Sequence, residues 1–250
     1  MIRAVLLDID GTLIDTNYLH VEAWAQAFEE VGERPPRSSI HHEIGKGSDK
    51  LISEFVADGE ASERVSELHG EFYAKLQDRG HPLPGAKELL ASLADRGYEV
   101  WFATSAKPEE LEHHMEELEA EDKVAGVVSS EEVEGTKPAP DIFELALKRA
   151  GSSPEETVAA EASVWEVESA KEAGVRTIAD DRWGVQPGRA GGGGGLRGLQ
   201  RLRGAARGWV PGGARVDSLE GSRRTPDALW QCGRRSSWQA APVRSCTSCT

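Results

Sequence analysis

Five short apolar runs, at residues 3–9, 98–104, 124–129, 157–160 and 175–179, alternate with stretches of helical periodicity, and this alternation constrains the fold more than any other feature. Strands separated by helices cannot pair as hairpins; they pair in parallel through helical crossovers, which cover both faces of the sheet. The helical stretches carry their own punctuation. Pro84-Gly85 precedes A-K-E-L-L-A-S-L-A-D-R, apolar at 86, 89, 90 and 93, and Gly97 supplies the stop. Pro108 and Pro138 stand where a first helical turn accepts proline, and Pro154 opens a turn into a strand. The expected fold class is α/β, a doubly wound parallel sheet, whose sites form beyond the carboxyl ends of the strands.

Residues 15–81 interrupt the alternation. The run Y-L-H-V-E-A-W-A-Q-A-F-E-E-V is apolar at 18, 21, 24, 25 and 28 before Gly32, which reads as an amphipathic helix. An insertion between the first strand and its crossover leaves from and returns to the carboxyl edge of the sheet, so it must lie over that edge. The expected organisation is a core of 1–14 and 82–180, a helical cap of 15–81, and a tail of 181–250.

The first strand, A-V-L-L, runs into Asp8 and Asp10 before Gly11-Thr12. Acids at i and i+2 of a strand project to one side, here where the strand loses its cover. Two close carboxylates repel, which is tolerable when a divalent cation or a lysine neutralises them. The plain alternative is a turn, for which Asp-Gly is a strong signal.

Three further segments fall in a telling order. D-I-D-G-T-L, F-A-T-S-A-K at 102–107, G-T-K-P-A-P-D at 135–141 and S-V-W-E-V-E-S-A-K-E-A-G at 163–174 resemble the four motifs of the haloacid dehalogenase superfamily of phosphatases. H-H-E-I-G-K-G-S-D-K-L-I at 41–52 resembles the cap loop of its phosphoglycolate phosphatase and beta-phosphoglucomutase group. The likeness spans residues 1 to about 179. It implies that Asp8 is the nucleophile that becomes an aspartyl phosphate, a role suited to a carboxylate ionised at neutral pH. Asp10 is then the general acid and base. Thr104, with Ser105 as the fallback, is expected to bond the phosphoryl oxygens, and Lys137 to neutralise the charge they share with Asp8. The implied cofactor is Mg²⁺, held by Asp8, Asp10, Glu161 and Glu166.

The fourth motif departs from the family pattern. Where Gly-Asp-Ser-x-x-Asp is usual, this chain has E-A-S-V-W-E, so the principal aspartate position is Ala162 and the second is Glu166. Glu161 offers a neighbouring carboxylate, and water can replace a lost Mg²⁺ ligand at some cost in affinity. A site of weakened metal affinity is therefore expected. The substrate is expected to be a small phosphorylated metabolite, with a sugar phosphomutase or a catalytically degenerate phosphate-binding protein as alternatives. In the cap, Lys46, Ser48 and Lys50 lie on a Gly-bounded loop suited to an anion, although Lys50 equally reads as a solvated helix-start charge. Lys107 is placed to reach either the phosphate or a substrate carboxylate. Neither His41-His42 nor His113-His114 has zinc spacing, and His113-His114, set among glutamates, reads as a solvated face.

The formal charge of −14 divides unevenly: residues 1–180 carry −22, and residues 181–250 carry +8, with 12 Arg, 14 of the 27 Gly and all three Cys. The total argues against a nucleic-acid partner for the whole molecule. The Arg/Gly tail keeps contact with a single strand open, without the aromatic repeat such binding favours. Its five consecutive Gly and scattered Arg predict disorder. A shift of reading frame is a second explanation, since permitted codons for Gln186 to Leu199, read one nucleotide later, can spell an amphipathic helix. Cys246 and Cys249 form a lone C-x-x-C, too little for a zinc ribbon. No apolar run approaches the ~20 residues of a membrane span, so a cytoplasmic location without a membrane partner is the default expectation.

Overall fold

The computed structural model describes residues 1–179. Its five strands are β1 (Ala4–Leu7), β2 (Glu99–Thr104), β3 (Gly126–Ser129), β4 (Thr157–Glu161) and β5 (Arg176–Ala179). They form one sheet in the order β3-β2-β1-β4-β5, every pairing parallel. Each expected apolar run supplies one strand, displaced at its ends by a residue or two. With β1 central, all four of its residues are buried, because helices cover the sheet on both sides. Leu7 lies opposite Phe102 and Ala160, which brings the ends of β1, β2 and β4 to one level.

Alternation along the strands divides the core into two layers. Val5, Leu7, Val100 and Phe102 pack with Leu90 and Leu93 of α5 (Ala86–Asp95) and Leu118 of α6 (Pro108–Leu118). Leu6, Ala103, Val128 and Ala159 face the other way, onto Phe143 and Ala146 of α7 (Asp141–Ala150) and Ala170 of α8 (Val164–Glu172). Within the expected helix at 86–97, Ala86, Leu90 and Leu93 are buried and Gly97 takes φ +75, the left-handed conformation that glycine tolerates at a helix end.

Between β1 and α5 the chain forms a helical insertion of four helices: α1 (Asn17–Glu30), α2 (Arg37–Glu43), α3 (Ser48–Ser53) and α4 (Glu60–Tyr73). It has its own apolar centre, built from Trp24, Phe28, Ile40, Leu51, Val65 and Leu68. The buried stripe of α1 is rotated from the expected one. Tyr18 is 59% exposed and stacks on the His41 ring, whereas Asn17 and His20 point inward with Val21, Trp24 and Phe28. The spacing 17, 20, 21, 24, 28 is as helical as the apolar set, but two of its members are polar. The readings of the tail as disordered or frame-shifted concern residues outside those described. Among the described residues, no helix is long and apolar enough to cross a membrane.

The insertion is pinned to the sheet edge by polar contacts around residues 42–49. Gly47 N–H donates to the Lys137 carbonyl at 3.1 Å, Thr136 Oγ1 donates to Asp49 at 2.6 Å, and Trp165 Nε1 donates to the His42 carbonyl at 2.7 Å. Gly45 has φ +97, and a Cβ there would stand 1.9 Å from Ser163 Oγ. Only glycine permits both the backbone conformation and the approach. Gly45→Ala should therefore destabilise the protein by more than about 1 kcal/mol, read as a lower Tm, and should speed proteolysis between residues 42 and 49.

Candidate active site

The site is built where three strand ends meet. Asp8 follows β1 directly and is held at that level by its N–H donating to the Ala160 carbonyl, 3.3 Å away. Lys137, ahead of α7 and followed by a cis bond to Pro138, is 1% exposed, and its Nζ reaches back under the sheet edge. It donates to Asp8 Oδ1 at 3.0 Å and to the Ala103 carbonyl at 3.1 Å, and lies 3.6 Å from Glu166 Oε1 and 3.8 Å from Glu161 Oε2. Glu161 is the last residue of β4. Glu166 belongs to the first turn of α8, where its Oε2 accepts from Ser163 N–H at 2.8 Å and Ala162 N–H at 3.2 Å. Ser163 Oγ accepts from Glu166 N–H in return, completing a capping box.

Asp8, Glu161 and Glu166 present oxygens that all lie within 4.8 Å of one another. Three carboxylates and one ammonium carry a formal charge of −2 in a buried place. Burial, then the charge of Glu166, pushes the Asp8 carboxyl well above its usual range, with Lys137 opposing. Burial likewise pushes Glu161 up; Lys137 opposes this, and Glu166 and Asp8 add to it. Burial would lower the Lys137 ammonium, but Asp8, Glu166 and Glu161 outweigh it and hold the lysine protonated. Asp8 Oδ2 and both oxygens of Glu161 are buried without a hydrogen-bond partner. An all-oxygen donor set, orphaned lone pairs and a charge of −2 fit a hard divalent cation such as Mg²⁺.

Asp10 has gone elsewhere. The regular strand ends at Leu7, so alternation no longer governs its side chain, and Gly11 at φ +73 turns the chain. Asp10 Oδ1 accepts from Thr16 Oγ1 at 2.6 Å and lies 3.2 Å from His20 Nε2 and 3.4 Å from His114 Nε2. Burial would raise this carboxyl, but the pull of His20 and His114 outweighs it and holds Asp10 well below the usual range. His20 in turn is raised, its attraction to Asp10 exceeding the cost of burial. His20 Nδ1 meets His69 Nε2 at 3.2 Å, and the two rings stack on Tyr73 and Trp24 respectively. Burial lowers His69, and the charges of His20 and Lys107 lower it further.

A sequence model described as haloacid dehalogenase-like hydrolase matches residues 2–174. The chain belongs to this family. It is 29% identical over 182 residues to YhcW of Bacillus subtilis (strain 168), which bears a provisional phosphatase name, with 71% of this chain and 83% of that protein covered. It is 28% identical to the "Phosphorylated carbohydrates phosphatase" of Thermotoga maritima, over 70% of this chain and 83% of that one. A hydrolase from Pseudomonas syringae of known crystal structure superposes with a TM-score of 0.71 at 27% identity, covering 76% of this chain and 89% of that chain.

Against the haloacid dehalogenase motifs, the expected residues divide. Asp8, Glu161, Glu166 and Lys137 converge. Asp10 lines the same cavity as Asp8 and Glu166, but of the four acids expected to hold metal it alone contributes no oxygen to the cluster of Asp8, Glu161 and Glu166. Thr104 is fully buried, its Oγ1 accepting from Ala106 N–H at 3.1 Å, while Ser105 lines the cavity and its Oγ is buried without a hydrogen-bond partner. Lys107 lines the cavity and starts α6, its N–H donating to Glu110 at 3.1 Å. Lys46 also lines it, but its ammonium is held between Glu43 and Glu54 and sits 4.2 Å over the Trp165 ring. Lys50 is exposed beside Asp49, the solvated alternative.

One sequence reading is overturned: His114 does not lie on a solvated face but is 1% exposed, aimed at Asp10. The signal was its spacing, since Glu110, His114 and Leu118 repeat every four residues and all three are buried. His20, His69 and Glu110 were missed for the same reason, being polar groups on stripes judged by their apolar members.

Mg²⁺ should raise the Tm of the apo-protein, by the equivalent of about 2.7 kcal/mol at a hundredfold excess over Kd. Glu161→Gln removes an orphaned anion, so it should raise the metal-free Tm and flatten that response, as differential scanning calorimetry would record.

Proposed function

We propose that the chain is a Mg²⁺-dependent phosphatase that hydrolyses a small phosphorylated metabolite through an aspartyl phosphate on Asp8. The observation that carries this reading is Asp8 itself: one oxygen is fixed by Lys137 at 3.0 Å, and the other is without a hydrogen-bond partner on a residue that lines the cavity. A fixed carboxylate with one free oxygen is built to attack. Oδ2 bonds to phosphorus as the ester oxygen leaves, and that oxygen takes a proton from Asp10. In the second step water attacks the phosphoenzyme, Asp10 accepts its proton, and inorganic phosphate is released with Asp8 restored. Asp10, held ionised in the free enzyme by its three neighbours, is set for this second role; for the first it takes up a proton as substrate arrives, and the proton it gains from water serves the next turnover.

Lys137 supplies one fixed positive charge to the phosphoryl oxygens. Ser105 Oγ offers an unengaged hydroxyl at the same cavity, which favours it alongside Thr104 as a phosphoryl contact. When bound, Mg²⁺ would be held by Asp8, Glu161 and Glu166 and would neutralise charge that develops on the transferred group. The helical insertion lies over this edge and limits the access of bulk water to the site. The cavity, about 70 Å³, is small beside the roughly 300–1,000 Å³ of sites for drug-sized ligands. That supports a compact leaving group.

Ala162 is 1% exposed at the sheet edge and brings no oxygen where the family pattern has an aspartate. Its N–H only supports Glu166. This favours weak metal affinity, and it is the one observation that favours a degenerate phosphate-binding protein as a second reading.

Release of inorganic phosphate from p-nitrophenyl phosphate tests the proposal. Asp8→Asn should abolish it while leaving the fold intact by circular dichroism. Ala162→Asp should lower the Mg²⁺ concentration for half-maximal rate by roughly tenfold, the effect of one added first-row oxygen ligand of about 1.4 kcal/mol. Wild-type inactivity at millimolar Mg²⁺ that Ala162→Asp restores would establish the degenerate reading. Turnover of a sugar phosphate to its isomer without net phosphate release would establish a mutase instead.

A further inference from the structure

We infer that His114 is a positioning residue for Asp10, carried by the sheet domain and independent of the helical insertion. His114 stands on α6, whose Leu118 packs with Leu7 and Phe102 in the layer beneath the sheet. Its ring is buried to 1% exposure, and neither nitrogen has a hydrogen-bond partner. A buried imidazole with both nitrogens unpaired is costly and calls for an explanation. The polar group it faces is Asp10 Oδ1, 3.4 Å from Nε2, a few tenths of an ångström beyond an ordinary N–H to oxygen bond. A small closure makes that bond, His114 donating Nε2–H to the carboxylate.

The other two partners of the same oxygen differ in where they are anchored. Thr16 leads into α1 and His20 lies on it, so both move with the insertion. Their contacts to Asp10 therefore depend on how the insertion sits on the sheet edge. His114 stays with the sheet. With that bond made, Asp10 has a donor on Oδ1 anchored in the sheet domain, so the direction of its other oxygen does not depend on the insertion alone. A carboxylate that serves two successive proton transfers needs one orientation in both, and an ångström of misplacement can cost roughly a hundredfold in rate.

This inference rests on the reading of Asp10 as the acid and base of a phosphatase, so its test has one arm that needs activity and one that does not. In the kinetic arm, His114→Phe removes both nitrogens at similar volume, and His114→Gln keeps one N–H donor. His114→Phe should lower kcat on p-nitrophenyl phosphate by about 10- to 100-fold, with KM within about twofold and Tm no lower than wild type, and His114→Gln should recover most of the rate. An unchanged kcat in His114→Phe, or no recovery in His114→Gln, would overturn the inference.

In the second arm, ¹⁵N-histidine NMR of the wild type should show a protected Nε2–H resonance that vanishes in His114→Phe and shifts upfield in Asp10→Ala. A resonance indifferent to Asp10 overturns the inference whether or not the protein hydrolyses anything. Absence of wild-type turnover with the NMR response intact would sink the phosphatase reading and leave the contact between His114 and Asp10 standing.

Discussion

A single buried ammonium faces three buried carboxylates, and the active edge of this protein is organised around that imbalance. Lys137 lies within 4 Å of Asp8, Glu161 and Glu166 and is shut off from solvent. Removing four charges from water costs several kcal/mol each after relaxation, and attraction to one lysine cannot repay three acids. The edge is therefore incomplete as an electrostatic object. It attracts positive charge of the kind a divalent cation would supply. The strain is tolerated because the surrounding sheet, packed on both faces, fixes the backbone that carries all four groups.

Two aspartates two residues apart are given opposite surroundings. Asp8 is pushed up by burial and by its acidic neighbours, whereas Asp10 is drawn down by two histidines and takes a short bond from Thr16. Divergent environments set paired carboxylates to different tasks at one pH. The separation follows from chain geometry: β1 stops at Leu7, Asp8 still obeys the strand, and Asp10 belongs to the turn.

The helical insertion does more than cover this edge. His20 and His69 extend its aromatic interior, through Trp24 and Tyr73, to the Asp10 carboxylate. Packing in the insertion and the protonation of the site are thus mechanically linked. On the opposite side, Gly45, Gly47 and Trp165 fasten the insertion against the third and fourth motifs. Ser163 and Trp165, which stand between the usual fourth-motif acid positions, accordingly serve in docking.

The alternation of apolar runs with helical periods was enough to determine a parallel doubly wound sheet, because strand and helix periods are local properties and parallel pairing leaves few ways to connect them. The same holds for Asp8, Glu161 and Glu166, which stand at strand ends or in the first turn that follows, whereas Lys137, in the loop ahead of α7, was legible through the resemblance of the third motif. What the sequence could not decide is the environment of a polar residue on a helix. His114 among glutamates looks solvated, and His20 beside Tyr18 looks incidental, until packing sets the rotation of α6 and α1. Thr104 and Ser105 differ for a similar reason, since one residue of backbone direction at the end of β2 decides that Thr104 is buried while Ser105 lines the cavity. Rotation and direction of this kind are fixed by contacts between elements far apart in the chain, so only the tertiary structure could place them.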